Sequence, residues 1–112
     1  MNVTKKDNYT LIQPEASLEV TKVVADVDAV AKAQFTEDNV VVDLLHYDQL
    51  SLAQLLLFLE TSNRHRNQKK SFVLINTALE SDTIPYELIV VPTLQEAEDI
   101  IEMEDIERDL GF

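Results

Sequence analysis

The chain has 112 residues, of which 46% are apolar and 27% are charged, and its formal net charge is −12. This length and apolar content predict a single domain, residues 1–112, with a core of its own, and they exclude a wholly disordered chain. The absence of cysteine excludes disulfides and thiolate sites, and the negative charge disfavours binding to nucleic acids or to anionic membranes.

The first third of the chain predicts two strands and a helix. Residues 3–5 and 9–12 flank a polar, turn-like segment, residues 6–8, and this pattern predicts two short strands in a β-hairpin. Apolar residues then recur at helical spacing over residues 18–35, which predicts an amphipathic helix with Ser17 as its N-cap.

A buried strand followed by a helix is predicted in the middle of the chain. Residues 40–45 are apolar on both faces except for Asp43, as expected for a central strand that is covered on both sides. Ser51 and Gln54 then match the capping box, in which two side chains satisfy free backbone N–H groups at a helix start. We therefore expect a helix over residues 51–66.

This middle helix has more apolar surface than one sheet can cover. The stripe that we expect to face the sheet comprises Leu52, Leu55, Leu56 and Leu59. Leu57 and Phe58 lie outside that stripe and need a second cover. Together with Tyr47 and Asp48 in the preceding turn, they predict a surface that contacts a partner protein.

The last third of the chain predicts two more strands and a final helix. Strands are expected at residues 71–75 and 86–91, with one short helical turn at residues 77–80 between them. Thr93 and Glu96 match a second capping box at the start of the last helix. The order β-β-α-β-α-β-(α)-β-α predicts an α/β fold with a small mixed sheet of about five strands, three main helices and one short helix.

The apolar stripe of the last helix changes sides along its length. One face is formed in the first half by Leu94, Ala97, Ile100 and Ile101. A nearly opposite face is formed in the second half by Met103, Ile106 and Leu110, with Phe112 following. Either the helix kinks near Met103 and folds back, or residues 103–112 are a helical tail that contacts a partner or a second copy of the chain.

No catalytic, metal or cofactor site is predicted. His46 and His65 are separated by a helix and form no zinc-binding motif, and a cation at the position of His65 would suit the helix end. Asp43, His46 and Asp48 lie near the carboxyl end of the core strand, where α/β sheets place ligands, but no nucleophile accompanies them. A small hydrolase or hydrolase subunit is therefore the alternative to a binding module, and a sensor with a small ligand under the same turn is a third hypothesis.

Ser51 admits two interpretations. Its capping role alone accounts for a serine at this position. A hydroxyl at a helix N-terminus is also well placed to carry a phosphate, because the helix dipole and the free N–H groups favour negative charge. Phosphorylation of Ser51 is therefore a hypothesis that mass spectrometry after incubation with a cognate kinase would test.

The order of elements, the NVVVDL strand, the leucine-rich helix, the KKSFVLIN strand and the VPTLQEAEDII ending together resemble the STAS domain of bacterial anti-sigma-factor antagonists. In that family, the helix after the core strand opens with an Asp-Ser-x-Gly-like segment whose serine or threonine a partner kinase phosphorylates. The edge of that helix docks on the partner. Ser51 takes the comparable place after Asp48, but Leu52, Ala53 and Gln54 follow it instead of the glycine, so the segment is degenerate.

The ending of the chain is also similar to that of short bacterial proteins that sometimes carry the label ribonuclease Z. The shared features are the VPTLxEA and ERDLGF segments. Ribonuclease Z enzymes need a His-x-His-x-Asp-His zinc motif, which this sequence does not contain. The similarity therefore does not imply that activity.

These observations predict a non-catalytic, regulatory protein-binding module that is similar to anti-sigma-factor antagonists. The resemblance implies a kinase-like or sigma-regulatory protein as the partner, and the tail adds a homodimer as an alternative. The N-terminal residues contain no apolar run like that of a signal sequence, so we expect a cytoplasmic protein.

Overall fold

A computed structural model describes residues 1–111 and shows a mixed α/β fold with a five-stranded sheet, as the sequence predicts. The strands are β1 Asn2–Lys5, β2 Thr10–Gln13, β3 Val40–Asp43, β4 Phe72–Ile75 and β5 Ile89–Val91. The helices are α1 Val20–Gln34, α2 Leu52–Leu56, α3 Leu59–Asn67 and α4 Leu94–Asp109, with a short 3-10 helix at Ser81–Thr83. Over residues 1–111, no helix is both long enough and apolar enough to cross a membrane.

The strands lie in the sheet in the order in which they follow each other along the chain. β1 pairs with β2 in the antiparallel sense, and all other neighbours are parallel. In β3, Val41 lies between Leu11 of β2 and Val73 of β4. All residues of β4 and all of β3 except Asp43 are buried, which explains why the sequence of β3 is apolar on both faces.

The two faces of the sheet are covered unequally. One face packs against α1, α2 and α3 through buried residues that include Val27, Leu55 and Phe58. The other face packs against α4, where Ala97 and Ile101 are completely buried. Hydrophobic burial on both faces stabilises the sheet, and α4 is the helix that completes the second layer.

The start of α1 differs from the prediction. The helix begins at Val20 with Glu19 at the N-cap position, so Ser17 is not the cap. The residues before it form a separate turn, closed by the backbone N–H of Leu18 donating to the carbonyl oxygen of Glu15 at 3.1 Å. Ser17 lies inside that turn, two residues before the N-cap position, so it is a turn residue rather than the cap.

The predicted helix over residues 51–66 is divided into α2 and α3 by a turn at residues 57–58. Its start is confirmed, because Ser51 and Gln54 form both hydrogen bonds of the capping box. Leu57 N–H and Phe58 N–H donate to carbonyls three residues earlier, at 3.2 Å and 3.1 Å. This tighter spacing, typical of a 3-10 turn, interrupts the α-helical pattern.

The connection between β4 and β5 also differs in detail. The short helix lies at Ser81–Thr83 rather than at residues 77–80. The Asn76 side chain accepts a hydrogen bond from the Ala78 N–H at 2.9 Å, so the start of the predicted helix forms a separate turn. The predicted strand at 86–91 begins only at Ile89, because Leu88 N–H donates to the Pro85 carbonyl and closes another turn.

Candidate functional site

The turn between β3 and α2 carries Tyr47 and Asp48, which were predicted to contact a partner. Tyr47 is half-buried, and its hydroxyl donates to the carbonyl oxygen of Leu18 at 2.8 Å. Burial raises the pKa of Tyr47, so this donor stays protonated. The bond ties the turn to the loop before α1, whereas the Asp48 side chain is exposed.

Leu57 and Phe58, predicted to share the same partner surface, have opposite environments. Leu57 is 45% exposed, whereas Phe58 is completely buried in the core. The tight turn between α2 and α3 rotates Phe58 inward, where it packs with core residues such as Leu55 and Phe72. The prediction that Phe58 contacts a partner is therefore wrong, because the core already covers it.

Ser51 lies at the start of α2 with its side chain exposed. Its hydroxyl accepts a hydrogen bond from Gln54 N–H at 3.1 Å, and the Gln54 side-chain oxygen accepts one from Ser51 N–H at 3.0 Å. The capping interpretation is confirmed by this geometry. Phosphorylation of Ser51 stays a prediction.

The three residues of the hydrolase alternative lie near the end of β3 but make no hydrogen bond to one another within residues 1–111. Asp43 accepts a hydrogen bond from Leu45 N–H at 3.0 Å and another from the Gln13 side-chain amide at 3.3 Å. His46 and Asp48 are exposed. Asp43 therefore stabilises the turn after its strand.

The side chain of Asn76 occupies the space under the turn between β3 and α2, where a small ligand was the third hypothesis. Its amide nitrogen donates to the carbonyl oxygens of Leu44 at 2.8 Å and Tyr47 at 2.9 Å. Beside it, near the carboxyl ends of β4 and β5, an open cavity of about 470 Å³ is bordered by Leu79, Ile84 and other side chains. Because both N–H groups of the Asn76 amide are bonded to backbone carbonyls, they are not free to donate to a ligand in this cavity.

The second half of α4 and its C-cap residue, Leu110, carry three large apolar side chains that face away from the sheet. Met103 is 50% exposed, Ile106 is 52% exposed and Leu110 is 66% exposed, and we call these residues the outer stripe. Phe112, predicted to contact a partner with them, lies outside the described residues. The helix runs without interruption from Leu94 to Asp109, so the outer stripe is not turned inward by a kink near Met103.

The inward face of the second half of α4 is polar, which explains why the outer stripe points outward. Arg108 donates hydrogen bonds to Asp105 at 2.6 Å, to the Ser71 hydroxyl at 3.1 Å and to the Asn39 side-chain oxygen at 3.3 Å. Asn39 is buried, and its amide nitrogen donates to Asp105 at 3.1 Å. Two residues from the amino ends of β3 and β4 therefore hold the end of α4.

Glu104 adds a second set of bonds on the same inward face. It accepts a hydrogen bond from the Ser71 hydroxyl and forms an ion pair with Arg66 of α3, both at 2.5 Å. Glu104 and Arg108 follow Ala97 and Ile101 by two helical turns, so the apolar and polar contacts lie on one continuous side of α4. Rotating the helix to bury the outer stripe would break all of these bonds.

Four exposed carboxylates surround the outer stripe. We call them the acidic flank, and they are Asp99, Glu102, Glu107 and Asp109. Within residues 1–111 none of the four forms an ion pair, in contrast to Glu104 and Asp105 on the inward face. Met103 and Ile106, together with members of the acidic flank, border a shallow depression of about 270 Å³.

His65 differs from its sequence interpretation as a cation at a helix end. It is buried, its Nε2 lies 2.6 Å from the Asp38 carbonyl oxygen, and its ring packs edge-on against Phe72. Burial lowers the pKa of His65 below its usual value, and the charge of Arg64 acts in the same direction. The neutral ring with its proton on Nε2 therefore donates to that carbonyl.

Neither a comparison with known protein-family models nor a search of curated proteins finds a match to this chain. In residues 1–111, no group of three or more metal-binding side chains is arranged to hold an ion. The outer stripe gathers three of the exposed large apolar side chains on one side of one helix, with the acidic flank beside them.

Proposed function

We propose that this chain is a non-catalytic regulatory protein-binding module of the cytoplasm that contacts its partner through the outer face of α4. The observation that carries this proposal is the exposure of Met103, Ile106 and Leu110 on one side of a helix whose other side is bonded to Ser71, at the amino end of β4. Apolar side chains gathered on one exposed stripe favour association, because a partner removes them from water.

Within residues 1–111, the side chains of the outer stripe stay largely uncovered. Each of its three side chains is at least half exposed, whereas Ala97 and Ile101 on the opposite side of α4 are completely buried. The bonds of Glu104 and Arg108 fix which side faces the sheet. A protein partner is therefore the cover that this surface lacks.

The resemblance to anti-sigma-factor antagonists supports a second contact surface at the start and end of α2. Asp48, Ser51 and Leu57 are exposed there. This surface lies on the opposite side of the sheet from α4, because α2 packs on one face and α4 on the other. A kinase-like or sigma-regulatory protein at α2 and another protein at α4 would not compete for space.

The test compares proteins retained by three immobilised chains from an extract of the cells that encode them. Ile106→Asp places a charge in the outer stripe, and Val3→Asp is the control because Val3 is an apolar residue of β1 that is 40% exposed and lies in neither proposed contact surface. We expect a stoichiometric partner that the wild-type chain and Val3→Asp retain and that Ile106→Asp loses, measured by quantitative mass spectrometry. Hydrolytic turnover that disappears in His46→Ala, or the same partners on all three chains, would contradict the proposal.

A further inference from the structure

The apolar and acidic residues on the outer face of α4 together specify the chemistry of a binding partner. We propose that this face binds a basic amphipathic helix of another protein. Apolar side chains of that helix pack along the outer stripe, and its lysine or arginine side chains pair with the acidic flank. This inference rests on the proposed function, because it names the partner class for the same surface.

The spacing of the outer stripe fits a helical partner. Met103, Ile106 and Leu110 follow each other by three and then four residues, so they form a line along one side of α4. This is the spacing of the seam along which two helices pack side by side. The depression beside Met103 and Ile106 offers room for an apolar side chain, and the flexible thioether of Met103 adapts to its shape.

The charge of the acidic flank selects a basic partner over a second copy of this chain. Two α4 helices packed along their outer stripes would bring the carboxylates of one flank close to those of the other, and like charges at an interface cost free energy. Arg108 is the basic residue of α4, and it is turned inward and paired with Asp105. A partner must therefore supply the positive charges.

The first experiment measures binding of two synthetic helical peptides to the full chain by fluorescence anisotropy. Both peptides have about three heptads with leucine at the seam positions, and the flanking positions are lysine in one and glutamate in the other. We expect the lysine peptide to bind at least about tenfold more tightly than the glutamate peptide, because several exposed ion pairs form only with lysine. Salt at about 0.5 M should reduce this difference by screening the charges.

The second experiment tests the surface with variants of matched charge and exposure. Met103→Ala/Ile106→Ala should weaken binding of the lysine peptide at least about tenfold. Val3→Ala, at an apolar residue of β1 that is 40% exposed and lies in neither proposed contact surface, should not. Glu102→Gln/Glu107→Gln should also weaken binding of the lysine peptide. Glu60→Gln/Glu87→Gln changes the net charge equally at exposed carboxylates outside α4 and should leave binding unchanged.

Three results would overturn the inference. The first is no binding of the lysine peptide at about 1 mM, the weak limit of a specific contact. The second is that both peptides bind equally well to the wild-type chain and neither binds to the Met103→Ala/Ile106→Ala chain. That result would keep the outer stripe as a contact surface but would rule out the requirement for a basic partner. The third is a dimer in sedimentation that the same variant dissociates, which would make a second copy the occupant.

Discussion

At the scale of single residues, His65 couples the stability of the fold to pH. Its folded pKa is lowered from the usual 6.5, so below that pH the unfolded chain binds a proton that the folded chain does not. The stabilisation is present above about pH 6.5 and is lost as the pH falls toward the folded pKa. We therefore expect the free energy of unfolding, measured with urea, to decrease from about pH 7.5 to about pH 5.5.

Two histidine variants isolate this effect. His65→Gln keeps a hydrogen-bond donor near the Asp38 carbonyl but cannot titrate, so the pH dependence should become flatter. His46 is exposed, and in His46→Gln the free energy of unfolding should depend on pH as it does in the wild-type chain. An unchanged slope in His65→Gln would show that other groups cause the dependence.

The Ser51 hydroxyl caps α2, and this role predicts a measurable loss of stability. Ser51→Ala leaves the Gln54 N–H without its acceptor and should lower the free energy of unfolding by about 0.5–2 kcal/mol in urea denaturation. Ser51→Asp, which keeps an acceptor, should lose less. Ser17→Ala is the control, because Ser17 does not cap α1, and its effect should stay within about 0.5 kcal/mol. Equal losses for Ser17→Ala and Ser51→Ala would contradict the assignment of the two caps.

At the scale of elements, the inward polar face of α4 should determine how firmly its second half is held. Arg108→Ala removes the donor to Asp105, Ser71 and Asn39 and should lower stability by about 1–3 kcal/mol. We also expect faster amide hydrogen exchange over residues 103–110. Glu107→Ala, on the outer side of the same helix, is the control and should leave both quantities nearly unchanged. Exchange that is unaltered in Arg108→Ala would show that packing alone holds the helix.

The elements that sequence predicts well are those with local signals. The capping serine of α2 and the threonine before α4 both accept the hydrogen bonds expected of them, and the alternating or continuous apolar runs locate the strands. The break between α2 and α3 carries no glycine or proline, so the sequence gives no local reason to expect it. The tight turn is stabilised instead by burial of Phe58, a contact with residues distant in the chain.

At the scale of the whole molecule, a net charge of −12 should make stability depend on salt. Mutual repulsion of like charges disfavours the compact state, and dissolved ions screen it. We expect the free energy of unfolding to rise as sodium chloride increases to about 0.5 M. Glu102→Gln/Glu107→Gln, which has less charge on α4, should show a smaller increase. A decrease with salt would mean that ion pairs such as Arg66 with Glu104 outweigh the repulsion.

The architecture follows from local patterns, but the candidate site depends on distant residues. The spacing of Met103, Ile106 and Leu110 predicted a second apolar face on the last helix, but it left open whether that face folds back or stays exposed. The bonds that keep it exposed join Asn39, Ser71 and Arg108, which are far apart in the sequence and carry no common motif. The burial of His65 and Phe58 is likewise decided by the three-dimensional packing rather than by neighbouring residues.

One face of the sheet depends on a single helix, α4, which follows all five strands along the chain. Before the ribosome has made α4, β3 and β4 can already pair. The face of the sheet that carries Val41, Val73 and Ile75 then has no helix to cover it. The nascent chain therefore exposes an apolar sheet surface until α4 emerges from the ribosome. During this interval, chaperones would protect that surface from aggregation.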